Sequence, residues 1–192
     1  MNSIWQMWAR DVSPTTCNKI IQECEQLPPM EAGVGGQSVT TVDNKVRKSE
    51  IRWAGDIQWV KDLIYGYAAT ANRNAFGFDI NYLADVQYTI YNGSDEGHYD
   101  WHYDTFWAGE NAYDRKISVI IQLSNPSDYE GGEFLLEPQY EQPNPTDLKQ
   151  RGTVFCFPSF LRHTVKPVTK GIDNGKVHFR HHEVVGARMT KE

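Results

Sequence analysis

Two His-x-Asp triplets overlap within His98-Tyr99-Asp100-Trp101-His102-Tyr103-Asp104, and a further histidine, His163, stands in Arg162-His163-Thr164-Val165. Side chains alternate faces along an extended strand, so His98, Asp100, His102 and Asp104 are expected on one side of it. Two neutral imidazoles and one carboxylate suit a divalent transition metal. Held from one side, such a metal keeps its opposite positions open, the two-His-one-carboxylate arrangement of non-haem Fe(II) chemistry. A single triplet is ordinary on a polar strand face, and either triplet here could supply the ligands. What surrounds them has to decide.

A chain of 192 residues can bury a sizeable core within one domain. The net charge of −6 argues against a general phosphate-binding surface, which disfavours nucleic acid as a partner. Cys17, Cys24 and Cys156 are scattered and lack metal-type spacing, so buried thiols in a reduced, cytoplasmic setting are expected. No apolar run reaches membrane-spanning length, and the first residues show no signal-peptide pattern.

The elements that must position the histidines follow from periodicity. Ser13-Pro14 opens a helix whose apolar stripe is Cys17, Ile20, Ile21, Cys24 and Leu27, and Pro28-Pro29 stops it. Residues 31–45 read as a loop or irregular edge, and Val46 to Ala54 as a strand with Arg47 and Arg52 either solvated or lining a cleft. A second helix runs from Asp56 to about Ala75, with Ile57, Val60, Ile64, Tyr67 and Ala71 on one face. Strand-like segments then succeed one another at 83–91, 98–104, 116–123, 133–137, 153–157, 163–168 and 176–185. Asn125-Pro126 and Gly131-Gly132 mark turns, Gln139 to Gln150 a polar loop, and Asn174-Gly175 a two-residue hairpin before Lys176. Many short strands without alternating helices predict a mainly β fold, an antiparallel sandwich or jelly roll, supported by the two N-terminal helices.

Reading outward, Tyr91-Asn92-Gly93 precedes the triplets, Tyr129-Glu130-Gly131-Gly132-Glu133 follows the strand at 116–123, and Phe155-Cys156-Phe157-Pro158 leads to His163-Thr164-Val165-Lys166-Pro167-Val168. With these motifs, from about Tyr88 to Thr169, the sequence resembles the prolyl-4-hydroxylase-like branch of the 2-oxoglutarate and Fe(II)-dependent dioxygenases. The resemblance implies a double-stranded β-helix, the jelly-roll form, in a single oxygenase domain, with residues 1–80 as helical support and 81–192 as core. It implies Fe(II) and 2-oxoglutarate, with ascorbate as a further cofactor.

Carried over by position, His102, Asp104 and His163 match the family's iron ligands; the second triplet is preferred because Trp101 supplies the aromatic residue that precedes the ligand histidine. His98 and Asp100 then fall at the cleft rim, Tyr99, Trp101 and Tyr103 on the opposite, core-facing side, and Phe106 and Trp107 beside the cleft or within loop packing. Tyr91 matches a phenol that helps hold the distal carboxylate of 2-oxoglutarate, and Gln122 and Ser118 lie where they could line the same pocket or simply bond within the sheet. The family's cation for that carboxylate falls at Ile172 and Asp173 here, which makes Lys176 the candidate substitute and Arg180 its rival.

The implied activity is hydroxylation of a prolyl or other amino-acid side chain on a peptide or small-molecule substrate. Two other readings remain open: an oxygenase acting on a nucleobase or small metabolite, and a non-catalytic metal-binding jelly-roll module that has lost its cosubstrate cation.

Overall fold

The computed structural model describes residues 4–33, 42–80, 82–105, 115–171 and 178–188. Helix α1, Pro14–Cys24, starts where Ser13 accepts the Thr16 N–H and Pro14 takes the first turn. It buries Cys17, Ile20 and Cys24. Ser13→Ala removes that cap and should cost about 1 kcal/mol of unfolding free energy, read from a urea transition. Helix α2, Gln58–Ala71, buries Val60, Ile64, Ala68 and Ala71 before a single π-type turn at Asn72–Phe76 ends on left-handed Gly77.

The strands, in chain order, are β1 Gln6–Trp8, β2 Met30–Glu31, β3 Arg47–Lys48, β4 Glu50–Trp53, β5 Tyr82–Asn92, β6 His98–His102, β7 Ile117–Gln122, β8 Tyr129–Gly131, β9 Phe134–Leu136, β10 Val154–Pro158, β11 His163–Val165, β12 Val168–Gly171 and β13 His178–Arg188. They pair antiparallel in a seven-stranded sheet ordered β1-β10-β7-β13-β5-β4-β2, a four-stranded sheet ordered β3-β6-β11-β9, and the pair β12-β8.

Alternation along the long strands sorts two cores. Ile117, Val119, Ile121 and Leu123 of β7 and its end, with Val154 and Cys156 of β10, face α1 and α2. Ile120, Phe155 and Phe157 turn the other way and meet Phe134, Leu136 and Val165 of the smaller sheet. The result is the expected mainly β, two-sheet jelly roll with helices on its outer face.

Four local features depart from expectation. The strand expected at 46–54 is two, β3 and β4, and that at 163–168 breaks at Lys166-Pro167 into β11 and β12. The loop at 139–150 carries a short helix, α3 Pro145–Leu148, capped by Asn144, and the N-terminal β1 adds to an edge that no sequence pattern marks. Gly131 explains its motif: φ is +80°, and a Cβ there would lie 2.2 Å from the Pro167 carbonyl oxygen.

The three cysteines are free and buried. Burial, reinforced by Glu23, pushes the Cys24 thiol up to about 12, and burial also raises Cys17 and Cys156. They are packing residues, as expected, not thiolate ligands. No helix among the described residues is long and apolar enough to cross a membrane.

Candidate metal centre

Strands β6 and β11 pair so that His163 stands directly opposite His102, with ring centroids 4.1 Å apart. Beyond β6 the chain turns, and the Asp104 N–H donates to the Ser159 carbonyl at 2.9 Å, which fixes the carboxylate beside both rings. Among the described residues His102, Asp104 and His163 form the group able to hold a metal ion, each offering one ligand atom with all three atoms within 4.8 Å of one another. The Asp104 and His163 side chains are buried and that of His102 nearly so.

Ring orientation is set by the backbone. His102 Nδ1 lies 2.7 Å from the Asp100 carbonyl and His163 Nδ1 lies 2.9 Å from that of Leu161, each two residues upstream. A carbonyl only accepts, so these contacts place the proton on Nδ1 and present the Nε2 lone pair. Each Nε2 is 3.6 Å from an oxygen of Asp104, Oδ1 for His102 and Oδ2 for His163. Two imidazole nitrogens and a carboxylate so disposed fit a divalent metal held from one side.

An outer layer holds the donors. Ser118 Oγ donates to Asp104 Oδ2 at 2.5 Å and lies 2.9 Å from Ser159 Oγ. Phe157 meets the His163 ring edge-on at 4.8 Å, and Phe134 packs on it at 5.4 Å. Ser118→Ala should therefore weaken divalent-metal affinity by about 10–100-fold while leaving the fold intact, measured by calorimetric titration with Mn(II). An unchanged affinity would show that the hydroxyl does not orient the carboxylate.

The second triplet is thus the one brought to His163, and the first is not. The ring nitrogens of His98 meet the carbonyls of Glu96 and Lys45, and Asp100 is exposed with its carboxylate on the Trp101 N–H. Strict alternation from His98 to Asp104 fails for a definite reason. His163 pairs with His102 but Val165 pairs with Tyr99, so β6 carries one residue more than β11 between these points, a β-bulge. The extra residue changes the parity of the strand. Tyr99, expected on the core side, stacks instead on the His102 ring at 3.4 Å and 10°.

Other expectations are corrected too. Tyr103 is 46% exposed, not core. Trp101 is half-buried between the cations of Arg162 and Lys166, at 5.8 and 5.7 Å. Arg47 is neither solvated nor open to a cleft: it is 5% exposed, donates to Gln87 and Ser49, and lies 4.4 Å over the Tyr99 ring. Arg52 secures the end of α1, donating to the carbonyls of Glu25 and Leu27 and pairing with Glu50.

For the cosubstrate set, Tyr91 is fully buried in the inter-sheet core, and Gln122 is buried there with its amide 3.1 Å from the Tyr129 hydroxyl. Arg180 falls in β13 opposite Ile90, its side chain outside what the structure describes. Lys176, Phe106, Trp107 and the Asn174-Gly175 hairpin lie outside the described residues. Sequence reasoning missed Ser159, whose hydroxyl lies 2.9 Å from that of Ser118 and whose carbonyl accepts the Asp104 N–H. Ser159 had the one available signal, its place directly after Phe157-Pro158 in the motif leading to His163.

Fold and site together define a jelly-roll protein with a His/Asp/His group able to hold a metal ion. Residues 86–180 match the 2OG-Fe(II) oxygenase superfamily. The PKHD-type hydroxylase of Gloeothece citriformis is 38% identical over 74 residues, covering 38% of this chain and 32% of that protein. The PKHD-type hydroxylase of Nitrosomonas europaea is 29% identical over 107 residues, covering 52% and 46%. The matched part thus spans a third to a half of these curated relatives. In three dimensions the chain superposes on a Pseudomonas putida prolyl-4-hydroxylase with TM-score 0.67 at 15% identity, covering 97% of this chain and 94% of the other. A Trichoplax adhaerens prolyl hydroxylase, solved with a hypoxia-inducible-factor peptide, gives TM-score 0.70 at 15% identity, covering 96% and 84%. The match over residues 86–180 is to the 2OG-Fe(II) oxygenase superfamily, and the likeness to the two solved prolyl hydroxylases is one of fold.

Proposed function

We propose that the protein is an Fe(II) and 2-oxoglutarate-dependent dioxygenase that hydroxylates a prolyl or other amino-acid side chain, with His102, Asp104 and His163 as the iron ligands. The observation that carries this reading is the meeting of three donors from β6, the turn after it and β11, all within 4.8 Å. When bound, the metal and cosubstrate would supply the oxidation: of the two oxygen atoms of O₂, one would enter succinate as 2-oxoglutarate loses CO₂ and the other would enter the substrate C–H bond. The chain's own residues do the placing. The carbonyls of Asp100 and Leu161 aim the two Nε2 atoms, Ser118 steadies the carboxylate, and Phe134 and Phe157 keep water from the inner side of His163.

A peptide or small-molecule substrate would meet the partly exposed aromatics Trp101, Tyr103 and Phe160 on the segments that bear the ligands. Residues 1–192 serve as one oxygenase domain, in a reduced, cytoplasmic setting that suits three free thiols. The test is succinate release from protein supplied with Fe(II), 2-oxoglutarate, O₂ and ascorbate against a pool of proline-containing peptides. Succinate that depends on both metal and 2-oxoglutarate supports the reading, and hydroxylated peptide identifies the substrate.

One observation favours a rival, a metal-binding module without turnover. Ile172 and Asp173 stand where the family carries its cosubstrate cation. On that reading the metal binds and no succinate forms.

A further inference from the structure

The contact between His102 Nδ1 and the Asp100 carbonyl holds the imidazole within its own plane. It does not by itself stop the ring from tilting. A planar neighbour does. Tyr99 lies against the imidazole with centroids 3.4 Å apart and planes 10° from parallel. A second planar group sits on the Tyr99 ring: the Arg47 guanidinium, 4.4 Å from the ring centre. The imidazole at van der Waals distance fills one face of the phenol, so the guanidinium covers the other. The order is guanidinium, phenol, imidazole.

Register between strands builds this column. Strand β3 pairs with β6 so that Arg47 stands opposite Tyr99. The bulge in β6 then brings Tyr99 to the face of His102, three residues on. From β11 the Thr164 hydroxyl donates to the Tyr99 carbonyl at 2.8 Å and steadies that point of the strand.

The guanidinium is also tied to the larger sheet. Its Nη2 donates to Gln87 Oε1 of β5 at 2.6 Å, and its Nε donates to Ser49 Oγ at 3.1 Å. The Thr89 hydroxyl donates to the same Gln87 oxygen at 3.3 Å. Arg47, Gln87 and Thr89 are all buried. A rigid strut thus runs from the larger sheet, through one aromatic ring, to a metal ligand of the smaller sheet.

Charge favours the same order. The face of a phenol ring is negative and attracts a cation lying within about 6 Å of its centre. Arg47 stays charged at any working pH. An imidazole that shares its Nε2 pair with a metal ion becomes a positive partner on the other face. Ring position and ring charge therefore both support the ligating form of His102.

We propose that Tyr99 and Arg47 are positioning residues of the metal centre. Tyr99 fixes the tilt of the His102 ring, and Arg47 acts through Tyr99 by fixing where the phenol lies. This inference rests on the reading of His102 as a metal ligand.

The test pairs calorimetric titration of Mn(II) with the visible absorption of the Co(II)-substituted protein, whose ligand-field bands report the geometry of the donors. Tyr99→Leu should lower Mn(II) affinity about 10–100-fold and shift the Co(II) bands. Tyr99→Phe keeps the ring and should restore both. Arg47→Met should lower the affinity about 3–10-fold, the size of one buried cation–π contact, and shift the bands in the same direction. In the Tyr99→Leu background it should add nothing, because its effect passes through the ring. Arg47→Lys keeps the charge without the planar fork and should fall between Arg47→Met and the unaltered protein. It takes the place of Arg47→Met in the cycle if that variant does not fold, as urea transitions of the metal-free proteins establish.

Unchanged Co(II) bands in folded Tyr99→Leu overturn the inference, since the ring then only packs. Additive losses from the Arg47 and Tyr99 variants overturn the role of Arg47. Unchanged Mn(II) affinity in His102→Ala is a different failure, that of the ligand reading itself.

Discussion

His163→Ala should abolish measurable Fe(II) binding and, with it, all 2-oxoglutarate-dependent succinate release. The outer hydrogen-bond partners of such ligands are each worth about 10–100-fold in metal affinity, so loss of a ligand should exceed that range. The imidazole is buried between Phe134 and Phe157, and its Nε2 is directed at Asp104. His98 is not placed to replace it, since both of its ring nitrogens lie at the carbonyls of Glu96 and Lys45. Asp104→Asn is the companion change. It keeps the shape of the side chain and an oxygen for the Ser118 hydroxyl, but removes the charge. It should leave the unfolding transition nearly in place and still eliminate turnover. Metal titration together with succinate measurement decides the matter: normal metal affinity in either variant would mean that the three side chains are not the ligands.

Phe157→Ala should cost about 3–5 kcal/mol of unfolding free energy, the range for truncating a fully buried aromatic ring. The ring is 0% exposed and meets Phe134 at 5.4 Å, Phe155 at 5.5 Å and His163 at 4.8 Å. A loss of that size is a large fraction of the 5–15 kcal/mol typical of a whole domain. Interior packing here is shared between the core and the metal ligand, so the variant should also bind Mn(II) more weakly where it remains folded. Phe157→Leu preserves more volume and should cost less. Urea unfolding curves of the metal-free proteins provide the comparison. A loss below about 1 kcal/mol for the alanine variant would show that the neighbouring rings close over the gap.

Both positions are legible in the amino-acid sequence, though by different signals. Motif and spacing place His163 and the second triplet, and Phe157 stands out by its position directly before Pro158. The cysteines on α1 read correctly as packing residues because a period near 3.6 carries them onto the buried face with Ile20. The expectations for Arg47 and Tyr103 fail because residue type says little about burial when the neighbours come from elsewhere in the chain. Arg47 is covered by Gln87 of β5 and Tyr99 of β6.

Local patterning therefore carries the element types and the two-sheet class, since periodicity and turn chemistry act over a few residues, while only the family resemblance favours the second triplet over the first. The parity of β6, the pairing of His102 with His163 and the Ser118–Asp104 bond are settled only on folding. Each depends on register between strands distant in sequence, and a single extra residue in one strand reverses every face beyond it. No pattern within β6 announces that bulge, because it is defined by what β11 pairs with.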